Sequence, residues 1–561
     1  MADPGITATF SDLPTEMKAT IFGYLQRNDH KKSACLVSRS WRDVMAPILW
    51  EHLTLRVATT LPWELACLLN PNDGVLAHVR SIDILEGLDG TAEVEMDSEF
   101  GVAFQFIFGA LQKNCLSTLR FYIHISMTTL LRVLQPQQAL KTLRLRSLPS
   151  DASPSSDLCL ASHSSWVTPT LRNIKNLFIP IGDGEQNAYE NSAYLLKSTP
   201  NLKKLTLWGL SNSWSLHDLH GKDVFGGPGP GLQTLQLDRL HLHCLILKTY
   251  PASLFAVIDF SVLRELSVTR CCQVGAFITA LVPGVSKVPS LRRLEITVAS
   301  TSILSEDSLE AIEALVTSTS SLRELWLDVG KGRLIYVACL AGHGNTLKSL
   351  GLAALSRTQD PYYYALELDN LLVQAPKLVD LAIGLCPINL GHVGHLGAKF
   401  KLFEQTGNEY VLSEIEFLLV RTQPPYISQL LIKDQIRIAK HQNLQSLRIL
   451  TLPSIDYGIM PNPNIVEGIG LPEEHIYTSQ AMMQAFATEV FRLLVRNGSN
   501  IRALAMSPED MNSAKRPVLD DNGHRWPRYY YRYDVTGAMS GQEHVIAVPT
   551  PPAEFPIPVP T

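Results

Sequence analysis

Histidine and cysteine are the residue types in this chain that could bind a metal ion or act as nucleophiles. Histidine pairs at short spacing include His241-Leu242-His243 and His392 with His395, and neither has the further ligands at the spacing of a metal site. The nine cysteines include no CxxC pair, so the sequence predicts neither a zinc site nor a disulfide framework. We therefore expect no metal and no cofactor.

Catalytic motifs are also missing from the sequence. It contains no HExxH, no GxSxG, no Walker-type phosphate loop and no GxGxxG after a predicted strand. Its richest glycine segment, GGPGPG at 226–231, has proline where a phosphate-binding loop needs backbone N–H donors. We expect a protein that is not an enzyme.

Composition narrows the function classes further. The formal net charge of −5 and the absence of a Lys/Arg-rich run argue against nucleic acid as a partner. The N-terminus lacks the pattern of a signal peptide, and no stretch of apolar residues is long enough to span a membrane. With unpaired cysteines, this predicts a soluble protein of the cytoplasm and/or nucleus, where thiols stay reduced.

The chain contains an internal repeat with the pattern L-x-x-L-x-L, in which Ile, Val or Phe can replace Leu. It occurs as VRSIDI at 79, LSTLRF at 116, LKTLRL at 140, IKNLFI at 174, LKKLTL at 202, LQTLQL at 232, LRELSV at 263, LRRLEI at 291, LRELWL at 322, LKSLGL at 347, LVDLAI at 378, LSEIEF at 412, LQSLRI at 444 and IRALAM at 501. The mean repeat is about 30 residues, close to that of leucine-rich repeats.

Each repeat predicts a short strand, because its last four residues alternate apolar with polar. Helices are predicted between the strands, at 103–114, 307–318, 362–374 and 479–496. Since one such unit cannot bury its own apolar face, neighbours must stack. The predicted fold class is α/β, an irregular leucine-rich-repeat solenoid with a parallel strand ladder inside and helices outside.

The position three residues past each motif predicts that Cys271 and Cys386 are core residues.

The predicted boundaries place an all-α module at 10–50, a linker or first helical segment at 51–78, the solenoid at 79–506 and a C-terminal cap or extension at 507–548. Insertions are predicted near 149–170, 222–231, 387–410 and 453–477, where the repeat lapses. The proline-rich residues 549–561 are predicted to be a disordered tail.

The N-terminal module reads FSDLPTEMKATIFGYLQRNDHKKSACLVSRSWRDVMAPILW over residues 10–50. Pro14 suits the first position of a helix, on which Met17, Ile21 and Leu25 share one face. A second helix is predicted with Val37, Trp41 and Val44 on one stripe, and Ala46-Pro47 is predicted to end it. A module of about 40 residues is near the lower size limit of an independent core, so we expect it to gain from a partner.

In order and spacing this segment resembles the F-box. The elements that match are Leu13-Pro14-Thr15-Glu16, Ile21-Phe22 with Leu25, Asp29, Leu36-Val37-Ser38 with Trp41-Arg42, and Leu49-Trp50. His30 departs from the pattern, because F-boxes usually have an apolar residue there. Together with the repeats that follow it, the segment resembles the F-box proteins of filamentous fungi.

The resemblance implies that the module binds a Skp-type adaptor and, through it, a cullin and a RING subunit. Carried over residue by residue, the adaptor contacts are Leu13, Pro14, Ile21, Leu25, Leu36 and Val37. The alternative for each is core packing within the module, which we favour for Trp41 and Trp50.

The solenoid is predicted to hold a protein target on its concave face, where the polar strand positions point. Trp208, Arg293 and Trp326 are the predicted contacts, since Trp and Arg are enriched in interface hot spots. The alternative is that each Trp packs on a neighbouring repeat. The predicted columns run through Thr234, Gln236 and Asp238 of the repeat at 232, and their acids outnumber Lys204 and Arg293, which indicates a target with a basic segment.

These predictions favour the substrate receptor of a ubiquitin ligase, with a scaffold that binds the adaptor without any ligase as the alternative. In the receptor, the F-box docks to the ligase and the solenoid holds a protein for ubiquitination and degradation.

Overall fold

The computed structural model of the chain describes residues 13–25, 28–56, 68–69, 74–85, 99–125, 127–147, 164–181, 186–209, 234–247, 254–255, 257–285, 290–298, 304–330, 333–354, 362–385, 389–392, 437–450, 454–456, 473–506, 529–536 and 544–550. The chain divides into two compact units, Met1–Leu263 and Arg264–Thr561.

The α-helices are α1 (Thr15–Gly23), α2 (Asn28–Cys35), α3 (Arg39–Trp50), α4 (Val75–His78), α5 (Glu99–Ala110), α6 (Met127–Leu134), α7 (Ser164–Leu171), α8 (Gln186–Ser198), α9 (Val274–Val285), α10 (Glu306–Ser318), α11 (Ala365–Gln374) and α12 (Glu473–Arg496). Two 3-10 helices cover Phe260–Val262 and Val337–His343.

The strands are β1 (His52–Arg56), β2 (Ser81–Leu85), β3 (Thr118–Phe121), β4 (Thr142–Arg144), β5 (Asn176–Ile181), β6 (Lys204–Gly209), β7 (Arg239–His243), β8 (Glu265–Cys271), β9 (Arg293–Val298), β10 (Glu324–Asp328), β11 (Ser349–Ala353), β12 (Asp380–Ile383), β13 (Asn389–His392), β14 (Ser446–Ile449), β15 (Ser454–Asp456), β16 (Ala503–Met506), β17 (Tyr529–Thr536) and β18 (His544–Pro549).

The repeat motif forms a strand as predicted, beginning at its third residue. In LKKLTL at 202, Leu202 is buried ahead of the strand and β6 begins at Lys204. The backbone N–H groups of Lys203 and Lys204 both donate to the carbonyl oxygen of Lys175 in the preceding repeat, at 2.8 and 2.9 Å. This paired donation recurs from repeat to repeat and holds each strand in register with the one before it.

In the first unit, β1 to β7 pair side by side in chain order, all parallel. Helices α6, α7 and α8 pack on one another in the same order. The parallel ladder confirms the predicted fold class for this unit. It begins at β1, inside the segment 51–78 that we predicted to be a linker or first helical segment, and the short helix α4 lies in the same segment.

The strand predicted from LQTLQL at 232 is wrong. The structure uses the overlapping match LDRLHL at 237, so that β7 begins at Arg239 and pairs Lys204 with Arg239. Leu235 instead forms an isolated bridge with Ile258. The second match forms the strand because the backbone N–H groups of Asp238 and Arg239 make the paired hydrogen bonds. Both donate to the carbonyl oxygen of Lys203, at 2.9 and 3.0 Å.

In the second unit, β8 to β12 pair in chain order and are followed by β14 and β16, all parallel. Strands β17 and β18 then pair antiparallel at the end of this ladder, in the segment 507–548 predicted as a cap or extension. The predicted start of the disordered tail at 549 is wrong, because Pro549 belongs to β18 and Thr550 is buried. Strands β13 and β15 form a separate two-stranded sheet. The leucine-rich-repeat-like, mixed α/β organisation therefore also holds for this unit.

The helices predicted between strands are present as α5, α10, α11 and α12, with ends that differ by a few residues. Helix α7 occupies the end of the segment 149–170 that we predicted to be an insertion. Cys271 is fully buried, as predicted for a core residue. Cys386, the motif LSEIEF at 412, the segment 222–231 and residues 551–561 lie outside the described residues.

The N-terminal module has three helices where two were predicted. Helix α3 continues through Pro47 to Trp50, so the predicted end at Ala46-Pro47 is wrong. Pro47 has no backbone N–H to donate within the helix. The helix nevertheless continues past it, and Ile48, the next residue, packs against the buried cluster of the module. That cluster consists of Phe22, Ala34, Val44 and Met45.

Candidate functional site: the N-terminal module and the polar face of the repeats

The core of the N-terminal module is set by Phe22 of α1. Its ring lies 5.1 Å from the ring of Trp41, and it packs with Val44 and Met45 of α3. Trp41 therefore belongs to the core of the module, as we favoured. Because Phe22 points inward, the side of α1 that carries Met17 and Ile21 points away from the other two helices.

Five large apolar side chains are exposed in the part of the module that the structure describes. Met17, Ile21 and Tyr24 are 52%, 41% and 80% exposed, and their spacing of four and three residues places them on one face of α1. Leu36 and Val37, in the turn between α2 and α3, are 79% and 60% exposed. We call these five residues the apolar patch. For Ile21, Leu36 and Val37 this exposure rules out the alternative of core packing.

The other predicted adaptor residues are placed differently. Leu13 is half-buried, and Pro14 is exposed at the N-cap of α1, one residue ahead of the position we predicted. Leu25 is half-buried and packs against the core of the module, so it does not share the exposed face of Met17 and Ile21. His30, which departs from the F-box pattern, is exposed on α2.

Charged side chains of both signs are exposed on α1 to α3. Among the side chains that the structure describes there, Lys32, Arg39 and Arg42 are exposed bases, and Glu16 and Asp43 are exposed acids. The side chain of Ser38, between Val37 and Arg39, accepts a hydrogen bond from the N–H of Trp41 at 3.2 Å and caps α3. This cap fixes the turn that presents Leu36 and Val37.

The polar face of the repeats in the first unit is basic and aromatic. Asp83, Arg120, Arg144 and Phe178 are register partners on β2 to β5. Arg120 donates to both carboxylate oxygens of Asp83 at 3.1 and 3.3 Å. The guanidinium carbon of Arg144 lies 4.0 Å from the ring centroid of Phe178. Burial, and secondly repulsion from Arg120, lower the pKa of Arg144.

The sequence columns missed Asp83, Arg120 and Arg144 because they began at β6. The signal was available, since each of these residues occupies the fifth position of its motif, as Thr206 does in LKKLTL. His241, the true partner of Thr206, was missed for the different reason that the strand at 232 was misplaced.

Trp208 lies on this face and is half-buried. Its ring is 5.9 Å from that of Phe178, edge to face, and 6.1 Å from that of His243. Trp208 therefore packs on neighbouring repeats and still keeps part of its surface exposed. The packing that we gave as the alternative is therefore observed, and the exposed part of the ring is still open to a target.

Arg293 lies on the polar face of the second unit, among acids. Its guanidinium is 3.6 Å from Glu295 and 3.4 Å from Glu324, and its side chain is 37% exposed. Glu295 is buried, with one oxygen accepting from Ser267 at 3.0 Å and the other, Oε1, without a partner. Burial raises the pKa of Glu295, against the opposing effects of Ser267 and Arg293.

Trp326 is not an exposed anchor. It is 9% exposed and packs in a cluster with Ala382, Leu450, Ala503, Ala505 and Tyr530. Its ring also lies across Gly351, where an added Cβ would come within 2.1 Å of Cε3. Packing on neighbouring repeats is thus the correct alternative for this residue, because β11, β12 and β16 place small residues beside it.

No group of three or more His, Cys, Asp or Glu side chains among the described residues could hold a metal ion. Within the same part of the chain, no helix has both the length and the hydropathy needed to cross a bilayer.

Comparisons with known proteins agree with the description of the N-terminal module. Residues 10–56 match the family described as F-box-like. No curated protein matches the chain.

Solved structures similar to the chain include a protein from Bacteroides fragilis, with 17% identity, 46% of this chain and 68% of that one covered, and a TM-score of 0.30. They also include a leucine-rich repeat-containing protein from Legionella pneumophila, with 11% identity, 59% of this chain and 89% of that one covered, and a TM-score of 0.30. The fold assignment depends on the ladder geometry described above.

Proposed function

We propose that this chain is the substrate receptor of a Skp-cullin-F-box (SCF) ubiquitin ligase, acting in the cytoplasm or nucleus. The observation that carries the proposal is the apolar patch on a module that matches the F-box-like family. Exposed large apolar side chains on a small module favour a surface that binds a protein partner. The partner proposed here is a Skp-type adaptor, which brings a cullin and a RING subunit.

The contacts within the patch follow from exposure. Ile21, Leu36 and Val37 touch the adaptor directly, joined by Met17 and Tyr24, while Leu25 supports α1 from behind. Leu13 and Pro14 lie at the start of α1 and extend the contact. The exposed Lys32, Arg39 and Arg42 favour an adaptor surface with acidic residues around an apolar centre.

The repeats then hold the target. We expect a receptor of this kind to carry no catalytic residues of its own, because its contribution is to keep a target lysine near the charged conjugating enzyme. The acids around Arg293 favour a basic target segment at the second unit. The arginines of β3 and β4 favour an acidic target segment at the first unit. The sequence predicted only a basic segment, so the proposed target carries segments of both charges.

The alternative is a scaffold that binds the adaptor without any ligase. The same patch serves both functions, and the difference lies in whether a cullin accompanies the adaptor. The receptor is favoured by the two long polar faces, whose half-buried aromatic and charged side chains are suited to a protein target.

The test is affinity purification of the wild type beside the double variant Leu36→Asp, Val37→Asp. A matched control is Leu366→Asp, Val373→Asp, which changes two apolar residues of α11 that are 73% and 78% exposed. The receptor predicts adaptor, cullin and ubiquitin conjugates with wild type and control, and none of them with the patch variant. Adaptor without cullin would favour the scaffold, and absence of adaptor from the wild type would contradict both.

A further inference from the structure

Arg448 of β14 lies in a row of register partners that runs across the polar face of the second unit. The row is Trp326, Gly351, Ala382, Arg448, Ala505 and Tyr530, on β10, β11, β12, β14, β16 and β17. The residues directly beside Arg448 are alanines, so its long side chain has no bulky neighbour in the row. The nearest large members of the row are the two aromatic residues.

The guanidinium of Arg448 lies between these two rings. Its central carbon is 5.9 Å from the ring centroid of Trp326 and 5.7 Å from that of Tyr530, within the range of cation–π attraction. Trp326 reaches this position because Gly351 has no side chain to block it. Both rings are buried, and Arg448 itself is only 1% exposed.

Among the residues that the structure describes, this buried cation lacks the partners that a buried cation needs. Its Nη2 donates to the hydroxyl oxygen of Tyr530 at 3.0 Å, while Nε and Nη1 have no hydrogen-bond partner. Asp380, in the neighbouring strand, accepts from the Ser446 hydroxyl instead. On β9 the row continues as Glu295, the register partner of Trp326. Glu295 is four strands away from Arg448, about 19 Å at the usual strand spacing. A buried charge without a counter-ion is strongly unfavourable, so the arrangement needs an anion.

The free donors define which anion fits. Nη2 belongs to both forked edges of a guanidinium, one shared with Nε and one with Nη1. Whichever Nη2 hydrogen Tyr530 accepts, the other edge keeps two free N–H groups side by side. Two parallel donors are the partner of a planar carboxylate, and the aromatic rings on both sides favour a flat group over a tetrahedral one.

We propose that Arg448, Trp326 and Tyr530 form a binding site for a single carboxylate group. The carboxylate can come from a free organic acid, from an acidic side chain or from the C-terminus of a polypeptide. Assigning it to the target rests on the proposed function, whereas the site itself does not. Because Arg448 is only 1% exposed, entry of a ligand requires neighbouring side chains to move.

The test is a titration of the full chain, deuterated and labelled with ¹⁵N at arginine Nε, in which the Arg448 Nε–H resonance is assigned by its loss in Arg448→Lys. Sodium acetate is the probe, with sodium chloride at equal ionic strength as the blank. The internal control is Arg333, whose Nε already donates to Glu306 at 2.8 Å. We expect a saturable shift of Arg448 with acetate and none of Arg333.

Tyr530→Phe separates a binding role from a packing role. The phenylalanine keeps the ring and removes the hydroxyl that occupies Nη2, so we expect acetate to saturate at a concentration at least threefold lower than in wild type. A mere packing role would leave the response to acetate absent in both proteins.

The sources are distinguished with a peptide that has a free C-terminus and with an amidated peptide that has one internal Glu. A response to acetate in which one peptide binds more tightly than acetate identifies that source, and tighter binding of acetate itself indicates a free organic acid. The proposal is overturned if Arg448 responds no more to acetate than to chloride, or if phosphate binds more tightly than acetate. No adaptor is present in this experiment, so its outcome is independent of the proposed ligase function.

Discussion

Gly351 shows how one residue on the polar face can determine the position of another. Because an added Cβ there would lie 2.1 Å from Cε3 of Trp326, Gly351→Ala must displace the indole from its cluster. We expect the free energy of unfolding to fall by about 1–3 kcal/mol, as for overpacking of a core. Thermal unfolding followed by tryptophan fluorescence measures the change. Gly342→Ala is the control, since a Cβ at Gly342 meets nothing within 4 Å.

His343 makes the stability of the second unit depend on pH. It is fully buried, its Nε2 donates to the carbonyl oxygen of Val316 at 2.8 Å, and its Nδ1 has no partner. Burial lowers the pKa of His343, against the opposing effect of that hydrogen bond. The unfolded chain, with a pKa near 6.5, therefore binds the proton more readily than the fold does.

The sign of the effect follows from this difference in pKa. The stabilising contribution of neutral His343 is fully present above about pH 6.5 and is lost as pH falls through the lower pKa of the folded state. His343→Gln keeps an N–H donor but cannot titrate. We expect wild type to lose more stability than this variant between pH 7 and pH 5, as measured by thermal unfolding. Equal slopes in the two proteins would contradict the role of His343.

At the scale of elements, Gln137 links two neighbouring repeats of the first unit. Its side chain is 1% exposed, accepts from the N–H of Leu116 at 3.0 Å and donates to the carbonyl oxygen of Gln112 at 2.9 Å. Gln137→Leu leaves both backbone groups without this partner, so we expect a loss of roughly 2–4 kcal/mol. Gln138→Leu, at an exposed neighbouring position, is the matched control and should change stability little in the same urea titration.

The existence of the strands was more predictable than the choice between overlapping motifs. A strand needs only the local alternation of L-x-x-L-x-L, which is why the other predicted strands that fall within the described residues are observed. Two overlapping matches, at 232 and 237, are equivalent in this pattern. The choice between them depends on hydrogen bonds to Lys203, a contact that the local sequence does not encode.

Side-chain placement on the module was predicted only in part. Spacing correctly put Met17 and Ile21 on one face of α1, but it included Leu25, which packs against the core. Phe22 decides which face points inward through its contact with Trp41, and that contact joins two helices. Trp326 was misjudged for the same reason, since Tyr530, which packs with it, lies far along the chain.

At the scale of the whole molecule, docking and target binding are assigned to separate parts of the chain. The apolar patch lies within residues 17–37, whereas the polar faces belong to strands from β2 onward. Changes confined to the patch should therefore leave the repeats folded. The sequence predicted this division because the F-box-like segment, placed at residues 10–50, ends before the first repeat motif at 79.

The most direct test of the central claim is the dissociation constant of the purified chain for a purified Skp-type adaptor. It should be measured by calorimetry for wild type, for Leu36→Asp, Val37→Asp, and for the matched pair Leu366→Asp, Val373→Asp. We predict that the patch variant binds roughly 100-fold or more weakly than wild type, since two exposed apolar contacts are lost, while the α11 variant binds as wild type does. Equal affinities for all three proteins, with unchanged thermal unfolding, would contradict the claim that the apolar patch is the docking surface.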